Sequence, residues 1–279
     1  MFCLILGITS EVIKIHSEFI QCFTELFQDN HKQMHHKRRF PFKIISGVYW
    51  DKGRRSSNQD SLLFEQVNTK KGRVVLAAVS DGIGGLQEGE TASGFILEKL
   101  LQNFYHQLLS MIGKSKGRSA LRRSFLRCFF ETNCILNQYA KSKDIKLGAT
   151  VSVLLLFRGR YLIAHLGDSR IYRVDQRGNV KQITEDHSLG RNALTKCMGS
   201  FSYQSPDIYE GRIRGKTGFL LCSDGFSHYL SAEMMTELLH PGEIEEEEQI
   251  EKRLREIAGY ELKQGEQDNM SALYFMCSR

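Results

Sequence analysis

Two apolar runs of this chain end in the same tripeptide, Ser-Asp-Gly. Residues 74–82 read VVLAAVSDG, and residues 218–225 read GFLLCSDG. A short apolar run that is stopped by a turn signal is typical of a strand buried in a sheet. Asp81 and Asp224 are therefore predicted to stand at strand ends, where two carboxylates could face one metal site. One isolated Asp-Gly would indicate only a turn, because this dipeptide is common turn chemistry.

The pattern beyond residue 42 predicts short strands and longer helices that come in blocks. We predict strands over residues 43–49, 61–67, 73–79, 150–157, 161–165, 170–174, 218–222 and 271–276. Helical spacing predicts two long helices between residues 88 and 139, and shorter ones over residues 232–239 and 243–258. Residues 184–217 are predicted to form a surface loop or flap. Hairpin-length connections between blocks favour the α+β class over a doubly wound parallel sheet.

Residues 1–42 are predicted to be a helical and basic extension of a domain over residues 43–279. Residues 11–29 carry apolar side chains at helical spacing, and a basic run follows over residues 32–39. Such a helix can contact a membrane or a partner, but docking onto its own domain is the commoner outcome. Residues 1–8 lack a basic leader and a cleavage site, so we expect no signal peptide. The start of a soluble helix and a true start at Met34 are the two alternatives.

The composition limits the class of protein without choosing a function. A net charge of +6 permits anionic partners, but no nucleic-acid-binding motif appears, so we expect no nucleic acid partner. No apolar run approaches the roughly 20 residues of a membrane span. The seven cysteines are odd in number and form no Cys-x-x-Cys pair, which argues against a disulfide scaffold or zinc cluster. We expect a reducing, cytoplasmic location.

Five aspartates stand beside glycine, asparagine or a predicted strand end: Asp60, Asp81, Asp168, Asp224 and Asp268. Carboxylates at such places are held at short reach, and we expect that they cannot be part of a core. Magnesium and manganese prefer carboxylate, carbonyl and water ligands, whereas zinc would need closely spaced histidines or cysteines. The sequence therefore predicts one oxygen-rich site for a hard cation.

Arg55 lies five residues before Asp60 in the string RSSNQD. Its guanidinium would share a loop with a candidate metal ligand, and its planar fork suits a phosphate dianion. An arginine at this place could also be an ordinary surface residue.

Seven strings in order resemble the PPM-type, or type 2C, metal-dependent protein serine/threonine phosphatases, and especially their compact bacterial members. They are residues 55–60 (RSSNQD), 81–85 (DGIGG) with 89–93 (GETAS), 148–150 (GAT), 167–172 (GDSRIY), 184–188 (TEDHS), 223–225 (SDG) and 268–271 (DNMS). Each string alone is weak evidence for the resemblance, but seven strings in the right order are very unlikely to arise by chance. The resemblance covers residues 43–279 and leaves out residues 1–42.

The resemblance implies a four-layer αββα fold, in which two antiparallel sheets pack as a sandwich between helices. It also implies two Mn²⁺ or Mg²⁺ ions at one edge of the sandwich. By position, Asp81 would bridge both ions, the Gly82 carbonyl would bind one, and Asp224 and Asp268 would complete the shell of the other. Asp60 would act mainly through bound water.

The resemblance also implies a reaction. The ions would activate a water for in-line attack on phosphorus, and Arg55 would bind the phosphate beside the catalytic aspartates Asp81 and Asp224. Asp168, together with Asp224, matches the position that holds a third ion in bacterial relatives. The substrates would be proteins phosphorylated on serine or threonine by a kinase, and we expect a monomeric enzyme.

Three positions bear on how closely the family pattern applies. Ile83 stands where many eukaryotic members carry a histidine that is proposed to protonate the leaving group. A metal-bound water is the favoured substitute, and His187, which we expect to shape its loop, is the alternative. Gln59 replaces a glutamate, which would loosen the outer shell of one metal. A catalytically silent regulator with this fold is the competing hypothesis, and it would normally show substituted metal aspartates.

Overall fold

The computed structural model describes residues 2–6, 43–190 and 193–278. The predicted N-terminal helix over residues 11–29 and the basic run over residues 32–39 lie outside the described residues. Within the part of the chain that is described, no helix is long and apolar enough to cross a membrane.

The first sheet contains six antiparallel strands in the order β1-β3-β4-β6-β7-β11. Its strands are β1 (Phe2–Leu6), β3 (Ser61–Thr69), β4 (Gly72–Ser80), β6 (Val151–Phe157), β7 (Arg160–Leu166) and β11 (Asp207–Arg212). The central strand β4 is buried along nearly its whole length, which explains why residues 74–79 form a continuous apolar run.

The second sheet contains five antiparallel strands in the order β2-β13-β12-β8-β9. Its strands are β2 (Lys43–Asp51), β8 (Arg170–Asp175), β9 (Val180–Gln182), β12 (Thr217–Cys222) and β13 (Met270–Ser278). A further pair, β5 (Gly148–Ala149) with β10 (Met198–Gly199), joins the flap to the rest of the fold.

The two sheets pack face to face around an apolar layer. The rings of Phe219 and Phe275 stack at 5.4 Å between centroids, and Phe64 of the first sheet lies 5.7 Å from Phe275. Alternation along β4 supplies this layer with Val75 and Val79, because successive side chains of a strand point to opposite faces. The sandwich core is thus built from both sheets.

Helices cover the outer face of each sheet. The helical elements are α1 (Gly89–Asn103), a π-helical turn (Phe104–Leu108), α2 (Leu109–Gly113), α3 (Arg118–Lys143), α4 (Ala232–Leu238) and α5 (Glu247–Gln264). Ile96 of α1 and Phe125 of α3 pack against the first sheet. Ile250 and Leu254 of α5 pack against the second sheet. The predicted α+β class with four αββα layers is confirmed.

Three details differ from the sequence prediction. The span of residues 184–217, predicted as a loop or flap, contains the edge strand β11, whose half-exposed side chains leave little apolar periodicity. Helix α5 begins and ends later than the predicted 243–258. Its start is set by the Gln249 side chain, which accepts from the Glu246 amide at 3.2 Å and caps the first turn. The backbone of residues 2–6 forms a strand paired with β3, not the start of a helix.

One buried hydrogen bond ties the second sheet to its helical layer. The Tyr274 phenol donates to the Leu239 carbonyl at 2.7 Å. Gly218 on the neighbouring strand leaves room for the ring, because a Cβ there would lie 1.8 Å from the phenol oxygen.

We expect Tyr274→Phe to lower the free energy of unfolding by about 1–3 kcal/mol, because the buried carbonyl loses its donor. Urea denaturation measures this change. The control Tyr260→Phe, at a position 37% exposed, should change stability by at most about 0.5 kcal/mol. Equal losses in both variants would mean that the Tyr274 hydrogen bond contributes nothing specific.

Candidate metal centre

All five predicted aspartates lie at the same end of the sandwich. Asp81 follows the last residue of β4, and Asp60 precedes the first residue of β3. These two strands pair with Ser61 opposite Ser80, so the next residue outward on each strand lies beside the other. The antiparallel register of the first sheet therefore brings Asp60 and Asp81 together.

The second sheet supplies the other three. Cys222 pairs with Arg170 on one side and with Ala272 on the other. Asp224 begins a 3₁₀ turn after β12, Asp168 precedes β8 and Asp268 precedes β13. These three carboxylates therefore cluster at the same end of the second sheet.

Asp60 is 1% exposed, so the expectation that such a carboxylate cannot be part of the core is wrong at this position. Neither of its carboxylate oxygens has a hydrogen-bond partner among the residues that the structure describes. Burial raises the pKa of this carboxyl well above its usual value, although the hydroxyls of Ser271 and Ser223 oppose the shift. A buried, unpartnered carboxylate is costly unless it meets a cation.

Asp81 has the most crowded electrostatic surroundings of the five. Burial raises its pKa strongly, and the charges of Asp60, Asp224, Asp168 and Asp268 raise it further, in that order. Because like charges act over short distances inside a protein, these causes mean that the five acids share one neighbourhood. Asp81 stands at its electrostatic centre.

Asp168 occupies the turn between β7 and β8. Burial raises the pKa of its carboxyl to about 7, with Asp224 adding to the shift. The adjacent Gly167 amide donates to Nδ1 of His187 at 3.1 Å, and Ser169 Oγ lies 2.6 Å from Thr150 Oγ1. These bonds fix the turn that carries Asp168.

Two of the acids have cationic partners. Arg55 Nη2 donates to Asp268 Oδ2 at 2.8 Å. His228 Nε2 lies 3.5 Å from Asp224 Oδ2, and the Gly225 amide donates to Asp224 Oδ1 at 2.6 Å. Burial alone would raise the pKa of Asp224, but the interactions with His228 and Gly225 outweigh it and lower the pKa.

The loop after Asp81 requires glycine. A Cβ on Gly82 would lie 2.6 Å from the backbone of Gly89 and 2.8 Å from the carbonyl of Gln59. The Gly82 amide donates to that same carbonyl at 3.2 Å, and the Gln59 side chain donates to Glu90 at 3.2 Å. The predicted role of the Gly82 carbonyl as a metal ligand stays a prediction.

The donor set fits a hard divalent cation. Within residues 43–190 and 193–278, no three Asp, Glu, His or Cys side chains form a ready-made metal-binding group. Asp268 lies against Arg55 and Asp224 lies against His228, but the two oxygens of a carboxylate offer about four lone-pair sites, so both acids could still bind a cation. The unpartnered oxygens of Asp60 and the mutual repulsion around Asp81 are what bound Mn²⁺ or Mg²⁺ would relieve.

His187, the alternative proton donor, is engaged at both ring nitrogens. Nδ1 accepts from Gly167, and Nε2 lies 2.9 Å from Asp207 Oδ2. The ring stacks on His165 at 4.7 Å between centroids. These contacts support the role of His187 in shaping the loop.

Sequence reasoning missed His228 and Glu266. His228 Nδ1 lies 2.6 Å from Glu266 Oε2, and the interactions with Asp224 and Glu266 raise the pKa of His228 to about 10. The spacing of four residues between Asp224 and His228 was the available signal. The contact with Glu266 joins distant parts of the chain, and no local pattern predicts it.

The sequence is similar to those of known protein phosphatases. A family model described as protein phosphatase 2C matches residues 52–269. The serine/threonine phosphatase stp of Listeria welshimeri is 26% identical over 211 residues, which cover 68% of this chain and 80% of that protein. The serine/threonine protein phosphatase PstP of Mycobacterium tuberculosis is 26% identical over 217 residues, which cover 71% of this chain and 39% of that protein.

Solved structures show the same fold. The catalytic domain of PstP in complex with two manganese ions superposes with a TM-score of 0.67 at 25% identity, covering 85% of this chain and 100% of that one. The serine/threonine phosphatase of S. agalactiae superposes with a TM-score of 0.70 at 24% identity, covering 84% of this chain and 99% of that one.

Proposed function

Because the chain belongs to the protein phosphatase 2C family, we propose that it is a Mn²⁺- or Mg²⁺-dependent phosphatase that hydrolyses phosphoserine and phosphothreonine in proteins. The observation that carries this proposal is that the register of β3 and β4 sets Asp81 beside Asp60, at the end of the sandwich where Asp168, Asp224 and Asp268 also stand. A carboxylate surrounded in this way is suited to be shared between two cations. Relatives named as serine/threonine phosphatases, and a PstP domain with two manganese ions, support the same conclusion.

Each acid has a distinct task in this proposal. When bound, the two ions supply an activated water and stabilise charge on the phosphoryl oxygens. Asp81 would be the shared ligand, the Gly82 carbonyl would serve one ion, and Asp224 and Asp268 would serve the other. The buried Asp60 would act mainly through water. Asp168 with Asp224 would provide a third, weaker cation position.

Arg55 is the group that binds the substrate phosphate. Its side chain is 49% exposed, and a single nitrogen, Nη2, donates to Asp268. Gly84 lies beside the same guanidinium, because a Cβ there would be in ordinary contact with it at 3.7 Å. A guanidinium has five N–H donors, so others remain to orient phosphate oxygens for in-line attack.

The one side chain weighed as the acid, His187, is not suited to protonate the leaving group, because it is buried with both ring nitrogens engaged. Ile83, at the position of the family's histidine, has no proton to give. Solvent at the site is therefore the proton source in this proposal.

We expect Arg55→Ala to lower kcat/KM by about 10²-fold, because orientation of the phosphate and stabilisation of its charge are both lost. Arg55→Lys keeps the charge but not the fork, so a smaller loss is expected. The matched control is Arg54→Ala, since Arg54 donates to the carbonyl of Leu262 instead. Steady-state kinetics on a phosphothreonine peptide measure all three. Similar losses at both arginines would argue against a phosphate-binding role for Arg55.

The function itself is tested by phosphate release from phosphoserine and phosphothreonine peptides in the presence of Mn²⁺. We expect turnover on both peptides. A folded protein that binds Mn²⁺ but releases no phosphate would instead support the silent-regulator alternative. That alternative predicts substituted metal aspartates, whereas all five acidic positions are intact in this chain.

We further propose that the enzyme is a cytoplasmic monomer whose substrates are made by a serine/threonine kinase. Cys128, Cys134, Cys197, Cys222 and Cys277 are free thiols, which suits a reducing compartment. Residues 43–279 would form the phosphatase domain. Residues 1–42 would be an extension of it, and the pairing of β1 with β3 supports docking onto the domain.

A further inference from the structure

A chain of hydrogen-bonding groups joins two of the metal-binding segments. His228 lies just after the 3₁₀ turn that Asp224 begins. Its Nε2 lies 3.5 Å from Asp224 Oδ2, and its Nδ1 lies 2.6 Å from Glu266 Oε2. The imidazole therefore stands between two carboxylates, one on each side of the ring.

Glu266 in turn holds the segment that carries Asp268. Its Oε1 accepts from the amides of Gln267 at 2.7 Å and Asp268 at 2.8 Å. The link thus runs from the carboxylate of Asp224 through His228 and Glu266 to the backbone of Asp268. This link therefore connects two residues that are proposed as ligands of the same ion.

This bridge, which runs from Asp224 through His228 and Glu266 to Asp268, is largely shielded from solvent. The side chains of His228 and Glu266 are 19% and 8% exposed. On the far side, both carboxylate oxygens of Glu261 on α5 accept from the Tyr229 amide at 3.1 Å, which fixes the backbone next to His228. A surface ion pair would have none of this support and would contribute little.

The bridge also bears on the orientation of the Asp224 carboxylate. Asp224 Oδ1 accepts from the Gly225 amide, and His228 Nε2 lies within ion-pair distance of the other oxygen, at 3.5 Å. Removing a group that orients a metal ligand through a hydrogen bond typically lowers the metal affinity by about 10–100-fold. The geometry at His228 is of this kind.

We propose that His228 is a positioning residue that, with Glu266, holds Asp224 and Asp268 in register for one divalent cation. This inference rests on the proposed function and deepens it, because it assigns the alignment of one ion to a pair outside the predicted ligands. His228 itself contributes no bond to the cation.

The test measures Mn²⁺ binding to the full chain by isothermal titration calorimetry. We expect His228→Ala to weaken the affinity of one Mn²⁺ site by roughly 10–100-fold. His228→Gln keeps a donor near Asp224 and should recover part of that affinity. Glu266→Gln should weaken the same site, and adding it to His228→Ala should cost little more. His106→Ala, at an exposed position on the π-helical turn, is the matched control and should bind as the unaltered protein does.

The outcomes separate this inference from the proposed function. If the unaltered protein binds Mn²⁺ and releases phosphate, while His228→Ala and Glu266→Gln bind Mn²⁺ equally well, the positioning role alone is overturned. If the unaltered protein binds Mn²⁺ without releasing phosphate, the proposed function alone is overturned, and the affinities still decide the role of His228. If it binds no Mn²⁺, both are overturned. Thermal unfolding of the metal-free variants identifies any that fail to fold, in which case His228→Gln and Glu266→Gln carry the decision.

Discussion

Asp81→Asn is expected to lower kcat/KM by about 10³-fold or more, equivalent to roughly 4 kcal/mol of transition-state stabilisation. An amide keeps the size of the side chain but removes the charge that two cations would share. We also expect Mn²⁺ binding to fall by at least one site, because no other acid is as central to the cluster. Steady-state kinetics and calorimetry on the same preparation measure both effects.

The same change should stabilise the metal-free protein. In the folded state the pKa of Asp81 is raised, so its charge opposes folding at neutral pH, and this cost grows as pH rises. Removing the charge should therefore raise Tm at pH 7 and have less effect in acid. The control Asp144→Asn lies at an exposed, left-handed position after α3, which asparagine tolerates. An Asp81→Asn protein that is less stable and fully active would contradict both expectations.

Removal of divalent cations is expected to abolish turnover, by a factor of about 10³ or more. Excess EDTA should stop phosphate release from a phosphothreonine peptide, and Mn²⁺ or Mg²⁺ added beyond the chelator should restore it. The ions should also raise Tm, because ligand at 100 times its Kd contributes about 2.7 kcal/mol to stability. Relief of the repulsion around Asp81 is the physical source of that gain.

Calcium is a useful control for the chelation experiment, because it also prefers oxygen ligands but takes more of them at longer distances. If Ca²⁺ protects the protein against unfolding but does not restore turnover, cation binding and catalysis are shown to be separate requirements. Undiminished phosphate release in EDTA would contradict the metal mechanism and leave the aspartate cluster without its proposed purpose.

The aspartates could be predicted because each stands beside a local signal: a glycine, an asparagine or a predicted strand end. Asp81 and Asp224 end apolar runs, and these runs became the buried strands β4 and β12. Antiparallel register then brings neighbouring ends together, as the pairing of Ser61 with Ser80 does for Asp60. Local pattern and sheet geometry agree here, which is why the end of the sandwich that carries the cluster could be expected from sequence.

The parts that sequence missed depend on contacts between distant segments. Strand β11 is an edge strand with one paired neighbour, so its side chains carry little apolar alternation. The end of α5 is set by Gly265, whose positive φ of 98° terminates the helix six residues beyond the predicted end. The contact of His228 with Glu266 spans 38 residues and leaves no periodic trace.

The most direct test of the account is anomalous diffraction at the manganese edge from crystals grown with Mn²⁺. The account predicts two strong peaks at the end of the sandwich, both in contact with Asp81, and one of them also bounded by Asp224 and Asp268. Peaks that avoid Asp81, or a single peak held by other residues, would contradict the claim that these carboxylates share a pair of cations.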